Sequence, residues 1–409
     1  MKTKSNLSIF MIMFGFTFFS GSMLVGKQLS EELSVASFIA SIIMGGVILG
    51  TFGGILAYIG CKKKCTLRDL TRNTFGLKGS WLPSILVGIT QVGWYGVSIS
   101  MFAIPVSRII APNNKAILAL CIFLFGGIMT LSTYMGLSSI TKLSYIAVPV
   151  IFLFGVGIII YGFGQNATDV VLAFGPNGDI GWIYGTELVV GTYISGSITT
   201  PNFTKYGRQP WIVAAIVFSA FLVGNGLMIV FGALSNIIVG GSDIFDLFTY
   251  YHCRFLGIVV LGLNIWSSCD NGLYSASLEL ENIICIPHKK IIAIAGIGST
   301  LFSLILYHNF TSFLVAMNRT LPPIGMILIL DSFFNRKSEN SQKVRTTNIL
   351  AIVIGAIFGL LVNGGIPAIN GLLISTIIFF GAKYLPNAPK RKNSCYDESE
   401  KENTKSKSG

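Results

Sequence analysis

The feature that most constrains this chain is the recurrence of apolar runs of about 20 residues, the length that an α-helix needs to cross a bilayer. About twelve such runs fit along the 409 residues. Only 11% of the residues are charged, whereas soluble chains carry roughly 25%. The sequence therefore predicts an all-α polytopic membrane protein. The predicted spans are 7–27, 34–60, 80–109, 115–136, 138–162, 182–200, 211–239, 254–276, 290–307, 309–333, 348–364 and 367–385.

Most of the 29 lysine and arginine residues fall on one side of these spans. Four fall on the other side and Arg319 falls within a span; the four are Lys27, Arg108, Lys115 and Arg254. Basic residues mark cytoplasmic loops, so we expect a protein of the cytoplasmic (inner) membrane with both termini in the cytoplasm. The net charge of +12 then needs no nucleic-acid partner. Residues 387–409 are polar and charged, which predicts a disordered tail.

Polar and aromatic side chains lie in the middle of the third span. Gln91 and Trp94 are three residues apart, so they share a face of a helix. A buried amide is costly in hydrocarbon unless it has a partner. This face therefore either binds something inside the protein or packs on a neighbouring helix, where nearby glycines permit close approach.

Small residues interrupt the first and the sixth spans. The first contains Gly15 and the run 18–22, and the sixth contains the run 191–197 and closes at Pro201. Unwound backbone is tolerated inside a membrane only where it is buried or lines a cavity. Two broken helices five spans apart indicate an inverted-repeat transporter with its site near the midplane. The alternative is that both runs are small-residue packing faces.

The eighth span carries an unusual density of polar groups. Asn264, Ser267 and Ser268 follow the i, i+3, i+4 spacing of one helical face. Hydroxyl oxygens together with the free carbonyls of a broken helix suit a small hard cation such as sodium. Asp270 is the acid of this segment, and it is either a functional group or a structural bond to a neighbouring helix.

Several separate stretches together resemble the cytosine permeases of the nucleobase–cation symporter-1 family, over nearly the whole chain. They are TFFS at 17–20, KGSWLPS at 78–84, TQVGW at 90–94, MFAIPV at 101–106, LGLNIW at 261–266, DN at 270–271, LY at 273–274, PP at 322–323 and NR at 335–336. The resemblance implies a leucine-transporter-type fold within one transporter domain, 1–386. Two inverted five-helix repeats would occupy roughly 7–162 and 182–333, with two extra helices at 348–385.

The resemblance also implies sodium-coupled uptake of cytosine by alternating access, by a monomer that is not an enzyme and has no cofactor besides the coupling ion. Trp94 would stack on the base, Tyr193 would cover its other face, and Gln91 would bind its edge. Further substrate contacts would come from Ser195, Thr192, Phe19 and Cys269. The ion would be held by the hydroxyls of Ser267 and Ser268 and by carbonyls of Gly15, Phe18 and Asn264.

Three residues depart from the family pattern. Cys269 stands where the family carries Asn, Tyr193 where it carries Phe, and Arg319 where small neutral residues are usual. Arg319 could close an outer vestibule, pair with Glu187, contact a more polar substrate, or serve structure alone. These departures leave open another substrate, such as hydroxymethylpyrimidine or a purine, and proton coupling also stays open. The candidates for gating or coupling are Asp270, Asn271, Arg319 and Glu187.

Other functional classes find less support in the sequence. A receptor would need a signalling domain, for which the short tail has no room. The three histidines fall at predicted span ends, and no Ser/His/Asp or metal-binding set converges with them. ATP-driven transport is disfavoured because no GxxxxGK[ST] loop occurs.

Overall fold

The computed structural model describes residues 3–175, 177–284, 286–335, 344–362 and 364–384, so the predicted tail lies outside the described residues. All regular secondary structure in this part of the chain is helical, which confirms the predicted fold class. A π-helical turn is formed by Ala220–Asn225. The helices are α1 (Asn6–Thr17), α2 (Ser20–Glu32), α3 (Val35–Lys63), α4 (Leu67–Phe75), α5 (Trp81–Ile110), α6 (Lys115–Tyr134), α7 (Leu137–Leu172), α8 (Trp182–Thr199), α9 (Pro201–Thr204), α10 (Pro210–Ser219), α11 (Gly226–Val239), α12 (Ile244–Tyr250), α13 (Arg254–Leu280), α14 (His288–Leu301), α15 (Ser303–His308), α16 (Phe310–Thr320), α17 (Pro322–Phe334), α18 (Thr346–Leu361) and α19 (Pro367–Tyr384).

Seven helical segments of the described chain are long and apolar enough to cross a membrane on their own. The bent pair α1 and α2 raises that number to eight when it is taken as one span. The other predicted spans correspond to α8, α13, α14 with α15, and α18, which are shorter or more polar. In α13 the polarity comes from buried side chains, because Asn264, Ser267 and Asp270 face other helices rather than lipid.

The first span is broken where the sequence predicts it. α1 ends at Thr17, α2 begins at Ser20, and their axes differ by 51°. Phe18 and Phe19 between them have extended backbone, so the last carbonyls of α1 are released from the regular helical pattern. This break supplies polar backbone atoms at the depth where a site inside the membrane needs them.

The sixth span differs from the prediction, because α8 is continuous through residues 191–197. Its hydroxyl side chains bond to carbonyls of their own helix, with Ser197 donating to Ile194 and Thr199 donating to Gly196 at 2.8 Å each. The small residues serve packing instead, since a Cβ at Gly191 would lie 2.7 Å from Leu314. The helix is interrupted only at Thr200, where Pro201 begins α9.

Two groups of helices face each other across the middle of the molecule. One group contains α5, α6, α13 and α14, and the other contains α2, α3, α8, α10 and α11. The second group is held by very close backbone approach between α2 and α11. A Cβ at Gly26 would lie 1.9 Å from the carbonyl oxygen of Ile229, and one at Gly232 would lie 1.9 Å from that of Met23. The candidate site lies between the two groups.

Candidate functional site

A small cavity lies where the break between α1 and α2 faces α5, α8 and α13. All seven residues predicted to contact substrate line this cavity: Phe19, Gln91, Trp94, Thr192, Tyr193, Ser195 and Cys269. The structure thus brings together side chains that lie far apart in the sequence. Phe19 and Cys269, which line the same cavity, are 250 positions apart. The remaining lining residues are Phe16, Tyr95, Ser98, Gly196, Ser268 and Gly272.

Aromatic rings form much of the cavity wall. The ring of Phe19 meets Trp94 at 5.4 Å and Tyr193 at 6.2 Å between centroids, edge to face in both cases. The indole Nε1 of Trp94 donates a hydrogen bond of 3.0 Å to Ser195 Oγ. The hydroxyl of Tyr193 donates to the carbonyl oxygen of Phe16. These bonds fix the orientation of the two larger rings, which is what recognition of a flat molecule requires.

Gln91 is the polar side chain of the cavity with unused hydrogen-bonding capacity. It is 2% exposed, and its Nε2 has no partner among the described residues. An unsatisfied buried donor costs about 1–3 kcal/mol, which a ligand acceptor would recover. By contrast, the hydroxyl of Thr192 is committed, because it donates to Val189 O and accepts from Asn225 Nδ2. Thr192 therefore shapes the cavity rather than offering a free hydroxyl to a ligand.

The cavity is small, at about 30 Å³. Phe310 and Phe313 of α16 pack against Trp94, one of the lining residues, with their rings 5.8 and 5.4 Å from the indole. A planar ligand can enter only when some of these rings move. Sequence reasoning missed both phenylalanines; their i, i+3 spacing at the start of the tenth span was the available signal. It also missed Ser98, one helical turn after Trp94.

A cluster of oxygen atoms lies beside the cavity, between the helix break and α13. Ser267 Oγ is 2.9 Å from the carbonyl oxygen of Gly15, and Ser268 Oγ is 2.7 Å from that of Phe18. Both hydroxyls also lie 3.1–3.2 Å from the carbonyl oxygen of Asn264. The five atoms are those predicted from the sequence as ion ligands. Hydroxyls can rotate their protons away and present lone pairs, so the cluster can hold a small hard cation.

The oxygen cluster and the cavity are built partly from the same and from adjacent residues. Ser268 lines the cavity and also bonds into the cluster. Phe18 supplies its carbonyl to the cluster while the next residue, Phe19, supplies its ring to the cavity wall. The two places are therefore joined through Ser268 and through the backbone between Phe18 and Phe19. No group of three or more His, Cys, Asp or Glu that could hold a metal occurs within the described ranges.

Asp270 and Asn271 make structural contacts behind the cavity. The carboxylate of Asp270 accepts from the hydroxyls of Ser132 and, at 3.0 Å, Thr133, both on α6. Asn271 Nδ2 donates to the carbonyl oxygen of Ser267 at 2.8 Å. Asp270 thus ties α13 to α6, Asn271 bonds within α13 beside the oxygen cluster, and neither residue lines the cavity.

Arg319 pairs with Glu187, one of the alternatives that the sequence leaves open. Their closest nitrogen and oxygen are 3.7 Å apart, and the side chains are 20% and 13% exposed. The neighbouring Asn318 donates to the carbonyl oxygen of Glu187 at 3.1 Å. The two residues therefore join α16, which packs against Trp94, to α8, which forms one of the cavity walls. Arg319 does not line the cavity itself.

The two ends of the pathway differ. Toward the predicted outer side, a vestibule of about 410 Å³ opens next to Ser20, Pro105 and Tyr307. Toward the predicted cytoplasmic side, polar contacts join α4 and α5 to the end of α13. Arg68 pairs with Glu281 at 2.8 Å, and Ser84 donates to Glu279 at 2.9 Å.

Comparison with known proteins places the chain in a family. A family profile described as "Permease for cytosine/purines, uracil, thiamine, allantoin" matches residues 2–348. The chain belongs to this permease family. Cytosine permease of Escherichia coli (strain K12) is 36% identical over 377 residues, which cover 90% of this chain and 89% of that protein. Cytosine permease of Escherichia coli O157:H7 matches equally well.

Solved structures of transporters share the fold of this permease. MHP1, a nucleobase-cation-symport-1 family transporter in a closed conformation with bromovinylhydantoin bound, superposes with a TM-score of 0.81 at 16% identity, covering 94% of both chains. A Na⁺-coupled sialic acid symporter superposes with a TM-score of 0.65 at 15% identity, covering 93% of this chain and 90% of that one. Through its membership of the permease family and its long apolar helices, the chain is a multi-pass membrane transport protein and not an enzyme.

Proposed function

We propose that this permease takes up cytosine by sodium-coupled symport with alternating access. The observation that carries the proposal is the shared construction of the cavity and the oxygen cluster, through Ser268 and the consecutive residues Phe18 and Phe19. A cation that orders the helix break also orders the ring of Phe19. Binding of each solute then raises the affinity for the other, which is the thermodynamic content of coupling.

The character of the cavity supports a nucleobase as substrate. A neutral planar base needs flat apolar contacts and a few hydrogen bonds at its edge. Trp94 and Tyr193 would supply the faces, and stacking contributes about 1–3 kcal/mol per base in nucleic-acid sites. Gln91 Nε2 would donate to an acceptor on the edge, and a base without that acceptor would leave the amide unpaired. The curated relatives named cytosine permease support cytosine within this class.

The oxygen cluster supports sodium as the coupling ion. It offers five oxygens, from two hydroxyls and three carbonyls, without a carboxylate. This neutral set suits a monovalent cation better than a divalent one, whose sites usually include charged ligands. A structural relative described as Na⁺-coupled is in agreement with this assignment.

The other candidate residues receive supporting roles in the proposal. Asp270 and Asn271 would hold α13 so that Ser267 and Ser268 stay in register with the helix break. Arg319 and Glu187 would hold α16 closed over the loaded cavity. The whole site lies within one chain, so a monomer suffices, and the basic residues would place its termini in the cytoplasm.

The test is thermal unfolding of the purified protein with cytosine, uracil, hypoxanthine, hydroxymethylpyrimidine and allantoin, each with and without sodium. We expect cytosine to raise the melting temperature, and sodium to enlarge that rise. A larger rise with another base would keep the mechanism and reassign the substrate, with Cys269 and Tyr193 as the residues responsible. If the rise in melting temperature with cytosine does not depend on sodium but changes with pH, the coupling ion is the proton rather than sodium. No effect of any base would overturn the proposal.

A further inference from the structure

Two membrane-facing grooves have no role in the transport mechanism. The first, the α3–α10 groove, is about 390 Å³ and is lined by Gly50, Gly54, Tyr58, Trp211 and Phe218 among others. The second, the α6–α14 groove, is about 350 Å³. It is lined by residues that include Gly126, Gly127, Leu131, Tyr134 and Ile297. Both are apolar concavities made by glycine in helices that face the lipid.

Each groove has a lysine ammonium packed on a tyrosine ring at one of its ends. In the α3–α10 groove the ammonium of Lys62 lies 5.3 Å from the ring centre of Tyr58 and donates to its hydroxyl at 3.2 Å. In the α6–α14 groove the ammonium of Lys289 lies 4.8 Å from the ring centre of Tyr134. Such cation–π contacts hold a lysine head group over the mouth of each groove. Trp211, 75% exposed, stands at the mouth of the first groove, as interfacial tryptophans do.

Both lysines are exposed and lack a carboxylate partner among the described residues, whose ion pairs involve arginine or histidine only. Their positive charge is therefore free for an anion. Both mouths also lie on the predicted cytoplasmic side. Lys62 lies in the last turn of α3, which runs toward the predicted cytoplasm, and Lys289 lies in the first turn of α14, which runs away from it. Each groove thus presents an apolar channel below one unpaired cation.

The length of each groove matches an acyl chain in one leaflet. Gly50 to Tyr58 spans eight residues of helix, about 12 Å, and Phe123 to Tyr134 spans eleven, about 17 Å. Half of the hydrocarbon thickness of a bilayer is about 15 Å. A chain lying in either groove would place its head group at the lysine.

We propose that the α3–α10 and α6–α14 grooves each bind one anionic phospholipid of the cytoplasmic leaflet, with the acyl chain in the groove and the phosphate on Lys62 or Lys289. Charge complementarity selects the lipid, because a zwitterionic head group carries its own cation beside the phosphate. One lysine near a membrane surface raises the affinity for anionic lipid about fivefold. This inference does not depend on the identity of the transported substrate.

The test is native mass spectrometry of the purified protein with phosphatidylglycerol or phosphatidylcholine of identical acyl chains. We expect two molecules of phosphatidylglycerol to bind, each about fivefold more tightly than phosphatidylcholine. Lys62→Gln and Lys289→Gln should each remove that preference at one site. Gly127→Leu should remove one bound lipid by filling the α6–α14 groove, since a Cβ at Gly127 meets no atom within 4 Å.

The matched control is Lys115→Gln, which removes the same charge at the opposite end of α6, away from the groove. It should leave both affinities unchanged. Equal affinity for the two lipids, or the same loss in Lys115→Gln as in Lys289→Gln, would overturn the proposal. A dimer mass that Gly127→Leu abolishes would also overturn it, because the groove would then receive a second copy of the chain.

Discussion

Trp94 carries the largest aromatic surface of the cavity, and its indole is anchored to Ser195. We expect Trp94→Ala to weaken substrate binding about tenfold or more, because the stacking face is lost. Trp94→Phe keeps a ring and should bind more tightly than Trp94→Ala. Isothermal titration calorimetry at saturating sodium measures both. Ser195→Ala removes the anchoring bond alone and separates its effect from that of the ring. Binding by Trp94→Ala within twofold of the unmodified protein would exclude Trp94 from recognition.

Ser267 and Ser268 are the two hydroxyls of the oxygen cluster. Their joint replacement by alanine removes two of five oxygens, so the sodium concentration for half-maximal substrate binding should rise at least about tenfold. Ser277→Ala is the matched control, because Ser277 is buried on the same helix and its hydroxyl donates to the carbonyl oxygen of Tyr274, away from the cluster. An unchanged sodium dependence in the double variant would show that the ion binds elsewhere.

At the residue scale, the sequence predicts which side chains lie together where the signal is contained in one segment. The spacing of Gln91 and Trp94, and of Ser267 and Ser268, is a local property of one helix, and those side chains meet at the site. Phe310 and Phe313 could not be assigned in this way. Their contact with Trp94 arises because α16 packs against α5, and their i, i+3 spacing alone does not say which helix they meet.

At the scale of elements, two similar sequence patterns gave different structures. The run 18–22 breaks the first span, whereas the run 191–197 stays helical. In α8 the hydroxyls bond to carbonyls one turn back, which satisfies them without unwinding. Glycine and hydroxyl residues permit unwinding in a membrane, but the neighbouring helices decide whether a break or close packing results.

The contact between α2 and α11 leaves no room for side chains at its glycines. We expect Gly26→Ala to destabilise the protein by about 1–3 kcal/mol, because the added methyl would overlap the carbonyl of Ile229. Gly157→Ala on α7 is the control; its Cβ would meet nothing within 4 Å, and alanine favours helix. The melting temperature in detergent should fall for the first variant and hold or rise for the second. Equal melting temperatures for Gly26→Ala and Gly157→Ala would contradict the close packing of α2 against α11.

At the scale of the whole molecule, the proposed alternating access requires opening and closing around the site, and the Arg319–Glu187 pair connects α16, which packs against Trp94, to α8. We expect Arg319→Gln to loosen α16, so that Cys269 inside the cavity reacts several-fold faster with a small thiol reagent. Mass spectrometry of the peptide that contains Cys269 distinguishes it from the other cysteines. Arg345→Gln is the control, because it breaks an ion pair with Asp331 near the other end of α17. Identical labelling in both variants would remove Arg319 from gating.

The break between α1 and α2 has a consequence for how such a permease can change over time. Two adjacent residues contribute there to different places. Phe18 directs its backbone oxygen to the cluster, and Phe19 directs its ring to the cavity. Any substitution that reshapes the cavity at this point also shifts the oxygen beside it. Variants selected in the laboratory for a new substrate should therefore arrive with an altered salt requirement, even when no selection was applied to salt.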